Sequence, residues 1–542
     1  MESANTRWAK VTPTRIALGA GALALLLGLF QLTLPHVLTG VLGTNLGYDD
    51  GAYVGAAVAF AHGAWPYRDF VFVQPPGIVY ILSPIGLLSH ITGTREVLII
   101  ARILTVLVTA ANATLAGLLL RRQGRIGVAL GAFAVALWPT AVAVDRTVEL
   151  EPYLVFAVLI GALVLFKKKR PSDRRMAIAG VIFGFAVVIK VWAVFPILVV
   201  MACLWLCKRR VLPLIGGLLA GGVVLSLPFF IAAPGNFWRE VIWTQLARKG
   251  IESAPSTSLG LRALMILGLR GLWWFSPSEW LAFAVLIVLI GTVVYTVIRH
   301  RGELRPFEWF VIGTPFLIVA STFDTPYLYD HYAYFPAIFI ALMLGVVMPR
   351  IIADVTRANP VLRIERENGT VRGHVVVVGA VLIAASGWLV ASTLFYESAY
   401  LSEAWNPATM IDAVTLPGSC VLSDYPSDLL VANRFISADP HCPIVVDPYG
   451  MFLVYNNGIA PNPIGPYGEA LMSRWRHYLN TADYIDMRIT TSDYLPWSPS
   501  SVNWFNLHYS LVGRAGTFYP NSLVDMNSRS FIYERRNNGL PG

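Results

Sequence analysis

Two adjacent carboxylates stand in the stretch Gly47-Tyr48-Asp49-Asp50-Gly51-Ala52-Tyr53. A carboxylate held ionised within reach of a hydroxyl can act as a general base. Either Asp is equally placed to cap the apolar helix expected over 52–62. The two roles are compatible, because a cap fixes the geometry of its side chain. A second acidic group follows in Asp145-Arg146-Thr147-Val148-Glu149-Leu150-Glu151-Pro152. Carboxylates converging from the two stretches would offer hard oxygen ligands to a divalent cation such as Mg, Mn or Ca, with Glu149 and Glu151 as ligands. The alternative is structural ion pairing with Arg146 and Arg68. Lys190, set in Val188-Ile189-Lys190-Val191-Trp192, either snorkels to a membrane interface or holds a phosphate. Arg248 and Arg262 add positive charge further along. His331, in a stretch rich in Tyr and Asp, either touches a phosphate or sugar or is a satisfied interfacial His. No organic cofactor is expected.

These charges sit in a very apolar chain. Of 542 residues, 56% are hydrophobic and 13% charged, and the mean hydropathy is +0.60. Soluble domains carry about 25% charge. The composition therefore excludes a cytosolic enzyme, a disordered chain and a coiled coil. Four Cys are too few for a disulfide-built module. What fits is an α-helical polytopic membrane protein with about eleven spans of roughly 20 residues each. They are expected near 16–36, 97–120, 126–143, 152–166, 176–190, 192–207, 211–232, 278–298, 307–322, 333–348 and 375–395. The first reads as a retained helix, since no A-x-A-type cleavage site follows it. The stretch 176–207 is either one helix or two, broken near Lys190–Pro196. The apolar run at 78–91 is short, holds Pro84, and is expected to lie at the surface.

Basic clusters, among them Arg121/Arg122/Arg125, Lys167–Arg170, Lys208–Arg210 and Arg299/Arg301/Arg305, all fall on one side if the spans alternate. That side is the cytoplasm. The N-terminus is then cytoplasmic and the exterior loops are 37–96, 144–151, 233–277 and 323–332. Every residue singled out above lies in these loops or at their edge except Lys190, which stands near the exterior end of its own helix. The net charge of +9 is thus a topology signal, and no nucleic-acid partner is expected. Residues 1–395 read as a transmembrane module in the plasma membrane and 396–542 as an exterior α/β domain. Strands are expected at 420–424 and 442–447, and Cys420 and Cys442 could form a disulfide outside the cell. The first loop reads as two surface helices joined by a rigid turn through Pro66–Phe70 and Gln74-Pro75-Pro76-Gly77. No internal repeat is evident.

An acidic pair opening the first exterior loop, then Pro-Pro, then Glu149-Leu150-Glu151-Pro152, Val188-Ile189-Lys190 and Tyr332-Ala333-Tyr334-Phe335-Pro336, resembles the GT-C superfamily of lipid-linked glycosyltransferases. The pattern is most similar to the family-39-like protein O-mannosyltransferase and aminoarabinose-transferase type, in its actinobacterial cell-wall members. The resemblance covers about 1–350. It departs from the family at Asp50, where Glu is common, and at His331, where Arg is often found. It implies a GT-C fold and inverting transfer of a sugar, mannose first and arabinose next, from polyprenyl phosphate to a cell-wall glycan or lipoglycan. Asp49 would be the base, with Asp50 second. The donor phosphate would meet Lys190, Arg146, Arg248, Arg262 and His331, and the substrates Tyr53, Arg68, Gln74 and Tyr329. Two rival readings are a transporter or flippase for a lipid-linked sugar and a non-catalytic envelope scaffold. A transporter would usually show internal repeats and acids within its spans.

Overall fold

The computed structural model describes residues 11–39, 47–168, 171–251, 257–269, 279–322, 325, 328–358, 387, 408–455, 466–488, 499–515 and 530–536. Among them, five helical stretches are long and apolar enough to cross a membrane: Pro13–Thr33, Thr94–Leu137, Leu212–Ala232, Glu279–His300 and Asp330–Ala358. Shorter apolar helices, Leu150–Phe166, Val191–Leu206 and Pro306–Thr322, stand among them. The expected span 375–395 lies outside the described residues apart from residue 387.

Two breaks in these helices matter for the site. The expected span 126–143 is two helices, Gly124–Leu137 and Pro139–Val144. Pro139 pushes Trp138 out of the helical region, to φ −65° and ψ 127°. The stretch 176–207 also divides. Helix Asp173–Ile189 stops at Lys190, which is extended at φ −153° and ψ 131°, and the chain resumes as helix Val194–Leu206. Both breaks bring backbone turns to the same end of the bundle.

Small residues set the closest helix contacts. Helices Asp173–Ile189 and Leu212–Ala232 meet at Gly180, Gly184, Gly217 and Gly221. A Cβ on Gly217 would lie 2.1 Å from the Ala177 carbonyl, and one on Gly180 would lie 2.2 Å from that of Leu214. Each helix therefore carries a small-xxx-small pair, which lets backbones touch where lipid offers no hydrophobic drive. Gly77 plays the same part for the first loop: a Cβ there would stand 2.6 Å from the Val188 carbonyl. The Pro75-Pro76-Gly77 turn thus lies directly against the break at Lys190.

The first loop does not form two surface helices. Helix Tyr48–Ala61 is buried from Asp50 to Ala59, because its Gly and Ala faces admit neighbours on every side. Helix Gly77–Gly86 is half covered. The irregular chain between them is held by side chains of the 233–277 stretch. Asn236 donates to the Tyr67 carbonyl (2.7 Å), Phe72 N–H donates to Glu240 (2.9 Å), and Gln245 donates to the Val73 carbonyl (2.7 Å). Such pinning satisfies backbone groups that no ladder serves.

Above this end lies a four-stranded mixed sheet in the order β1-β2-β4-β3. Its strands are β1 Val421–Ser423, β2 Tyr484–Met487, β3 Tyr509–Ala515 and β4 Ser530–Arg535. β1 and β2 run parallel and the other pairs antiparallel. Only the first of the two expected strands forms. Residues 442–447 hold an unpaired course between Pro443 and Pro448, with Val445 and Val446 buried, and lead into helix Pro448–Tyr455. Cys420 and Cys442 are joined in a disulfide. Helix Pro426–Val431 docks on helix Tyr48–Ala61 at Gly51, where a Cβ would stand 2.3 Å from the Ser427 nitrogen.

Candidate active site

The two adjacent Asp residues occupy the first turn of helix Tyr48–Ala61, whose N-cap is Gly47 without a side-chain bond. Neither caps this helix. Successive helical residues point about 100° apart, and here that angle separates two fates. Asp50 turns inward and is fully buried. It accepts from Arg102 and from the Val148 N–H, both at 2.6 Å. Asp49 turns outward into a cavity of about 350 Å3.

Glu149 and Glu151 divide in the same way. Glu151, in the first turn of helix Leu150–Phe166, is buried against Lys190 in a short ion pair. The Lys190 ammonium lies 4.2 Å from the Tyr332 ring centre and 4.4 Å from that of Trp192. Lys190 thus neither snorkels nor lines the cavity. Glu149, just before that helix, does line it. Its Oε2 is buried without a hydrogen-bond partner. Burial, reinforced by Asp49, Glu151 and Asp50, pushes its carboxyl well above the usual range, and Lys190 opposes this.

His331 closes the group. Its Nε2 lies 3.7 Å from Asp49 Oδ2 and 3.9 Å from Glu149 Oε2, and its ring stacks on Tyr329. The three ligand atoms all fall within 4.8 Å of one another. Two carboxylates, one imidazole and an orphaned buried oxygen fit a divalent cation. Asp49, Glu149 and His331 are the residues that could hold such an ion, in place of the expected Glu149 and Glu151, since Lys190 engages Glu151. An imidazole among the ligands suits Mn or Zn better than Mg or Ca.

Other cavity walls carry Tyr53, Gln74, Arg146, Arg248 and Tyr329. Arg248 donates to the Tyr332 hydroxyl (3.2 Å), and its guanidinium lies 5.9 Å from the Tyr329 ring and 5.8 Å from the Tyr449 ring. Burial and the charges of Asp49 and Glu149 hold the Tyr53 phenol well above its usual range. Two expected contacts lie elsewhere. Arg262 is buried as a strut, donating to the carbonyls of Thr257 (2.9 Å) and Thr322. Arg68 pairs with Asp69 at the surface (2.7 Å) beside Trp65.

Sequence reading missed the roof. The Tyr48 hydroxyl donates to Asp447 Oδ1 (2.8 Å) and accepts from the Tyr449 N–H (2.7 Å). Asp447 also accepts from the Gly450 N–H (2.8 Å), capping helix Pro448–Tyr455. Asp-Pro is a legible helix start, but nothing in it announces a cavity wall. Arg102 was legible: a charge within Ile99-Ile100-Ala101-Arg102-Ile103 is costly at membrane depth and needs a partner.

Residues 72–322 match the model of glycosyltransferase family 87. Across 94% of this chain and 96% of the other, the fold is similar to ArnT from Cupriavidus metallidurans bound to undecaprenyl phosphate, with a TM-score of 0.58 and 13% identity. The chain has a GT-C-type fold. The oligosaccharyltransferase of Archaeoglobus fulgidus, in complex with Zn and sulfate, shares this GT-C fold at a TM-score of 0.52 and 14% identity, over 90% of this chain and 71% of that one. An α-(1→3)-arabinofuranosyltransferase of Corynebacterium glutamicum is 24% identical over 298 residues, 52% of this GT-C chain. The match spans 64% of that relative's length.

Proposed function

We propose that the protein transfers an arabinofuranosyl group from a polyprenyl-phosphate donor to a hydroxyl of a cell-wall glycan or lipoglycan. The observation that carries this reading is the convergence of Asp49, Glu149 and His331 on one cavity while the neighbouring acids are closed off in ion pairs. Arabinofuranose moves ahead of mannose because of the Corynebacterium relative, and mannose stands second. The likeness to ArnT of Cupriavidus metallidurans, whose structure is bound to undecaprenyl phosphate, supports the donor class. The chain divides at residue 396 into a membrane module and an exterior roof, with the N-terminus cytoplasmic.

Asp49 takes the proton of the acceptor hydroxyl. The oxygen attacks the anomeric carbon opposite the phosphate, the sugar–phosphate bond breaks, and configuration inverts. The leaving group departs as a phosphate monoester whose growing charge needs stabilisation rather than a proton. Arg146 and Arg248 supply it from the cavity wall. A Mn or Zn ion held by Asp49, Glu149 and His331 would add positive charge beside that phosphate. Tyr329 and Tyr449 offer ring faces to the sugars.

The test is transfer by the purified full chain in lipid nanodiscs. It receives polyprenyl-phospho-arabinofuranose or polyprenyl-phospho-mannose and a short glycan acceptor, with and without a chelator. Product from the arabinose donor, suppressed by chelator and restored by Mn or Zn, is expected. Intact donor crossing the bilayer without product would instead establish the transporter reading.

A further inference from the structure

On the side of the bundle opposite the cavity, three helix ends enclose a small recess. Helix Thr94–Leu120 runs on into the turn Arg121–Gln123, helix Leu150–Phe166 stops at Lys167, and helix Pro306–Thr322 begins. The recess holds about 50 Å3, room for one phosphate-sized group, and Arg121, Arg122, Lys167, Lys168 and Arg305 stand around it. All five cations are exposed, and among the described residues none has an ion-pair partner. Its single carboxylate, Glu308, is already engaged by Arg350 (2.8 Å), Gln123 (2.6 Å) and the Arg305 N–H (2.7 Å). Arg122 donates to the Lys167 carbonyl (2.8 Å), tying two sides of the rim together.

A bias of Lys and Arg to the cytoplasmic side explains the presence of these charges. It does not explain their gathering over an apolar floor. Phe166 lies 5.7 Å from Phe307 and 5.5 Å from Phe310, centre to centre, beneath the cationic rim. A free phosphate would use only the rim, whereas a lipid uses both. Basic pockets between membrane helices on the cytoplasmic side suit anionic head groups. We propose that this recess binds the phosphate head group of an anionic phospholipid and so clamps the ends of the three helices, independently of the transfer site. The role is separate from glycosyl transfer and survives if that reading fails.

The test uses the full chain in neutral detergent, titrated with phosphatidylglycerol, phosphatidylcholine or inorganic phosphate, and read by native mass spectrometry and melting temperature. Phosphatidylglycerol is expected to stay bound as a one-to-one adduct and to raise the melting temperature; the other two are not. The Arg121→Gln/Lys168→Gln/Arg305→Gln variant should bind it at least tenfold more weakly. A charge-matched control, Arg209→Gln/Arg210→Gln/Arg301→Gln, removes three cations from the same side outside the recess and should bind normally. The single variant Lys168→Gln, with a severalfold loss, guards against misfolding of the triple. Equal weakening in both triples, or an undiminished adduct in the recess variant, would overturn the proposal. A matching shift with inorganic phosphate would make the recess a free-anion site and overturn the lipid.

Discussion

The floor and the mouth of the cavity contain the same chemistry arranged to opposite ends. In the floor, Asp50 meets Arg102 and Glu151 meets Lys190, each pair buried and closed. At the mouth, Asp49 and Glu149 are one and two residues away in sequence. Among the described residues they have only His331 as a basic group within 4 Å. A buried ion pair contributes little net stability yet is costly to break. The floor pairs therefore fix the helices that carry the mouth, while the mouth carboxylates face the cavity, open to a ligand. Positioning and reactivity are separated by a single step along a helix.

The comparison breaks hardest at the mouth. Glu149→Gln or His331→Ala should lower transfer by about 10²–10³-fold, the usual cost of removing one preorganised electrostatic group, with the melting temperature of the Glu149 variant held or raised. A floor variant should do the reverse. Arg102→Leu leaves Asp50 buried without its guanidinium and should cost about 3–5 kcal/mol, read by chemical unfolding. Arg102→Leu with Asp50→Leu should recover much of it. Between the two stands the roof. Tyr48→Phe removes the hydroxyl bonded to Asp447 and Tyr449 and should cost about 1–2 kcal/mol, loosening helix Pro448–Tyr455 as read by hydrogen exchange.

A smaller effect sharpens the picture outside the site. Burial outweighs the Phe72 N–H, Arg239 and Arg474 and pushes the Glu240 carboxyl up to about 8. The folded form then keeps a proton that the unfolded chain loses at about 4.5, so stability falls as pH rises between those values. Melting temperatures across this window should decline, and Glu240→Gln should flatten the decline. Arg68→Ala, at the surface away from the cavity, should change neither melting temperature nor transfer.

Much of this was legible in the chain. Long apolar runs and the one-sided basic clusters give the helices, and the acids' order gives the site's neighbourhood. The individual roles were not legible, since Asp49 and Asp50 are chemically identical and only Arg102 and the Val148 N–H distinguish them. Lys190 reads as a phosphate ligand until the helix break turns it onto Glu151. Arg262 and Arg68 carry the right charge in the right loops, but backbone carbonyls and Asp69 claim them. The roof escaped notice because Asp447 and Tyr449 reach Tyr48 across some 400 positions of chain. The small-xxx-small pairs at Gly180/Gly184 and Gly217/Gly221 are plain in the sequence and mark a close helix contact.

The most direct measurement sets Asp49→Asn beside Asp50→Asn, each assayed for turnover and for melting temperature. Asp49→Asn should lose about 10²–10⁴-fold in turnover at an unchanged melting temperature, while Asp50→Asn should melt well below wild type. Wild-type turnover by the Asp49 variant would contradict the account at its centre.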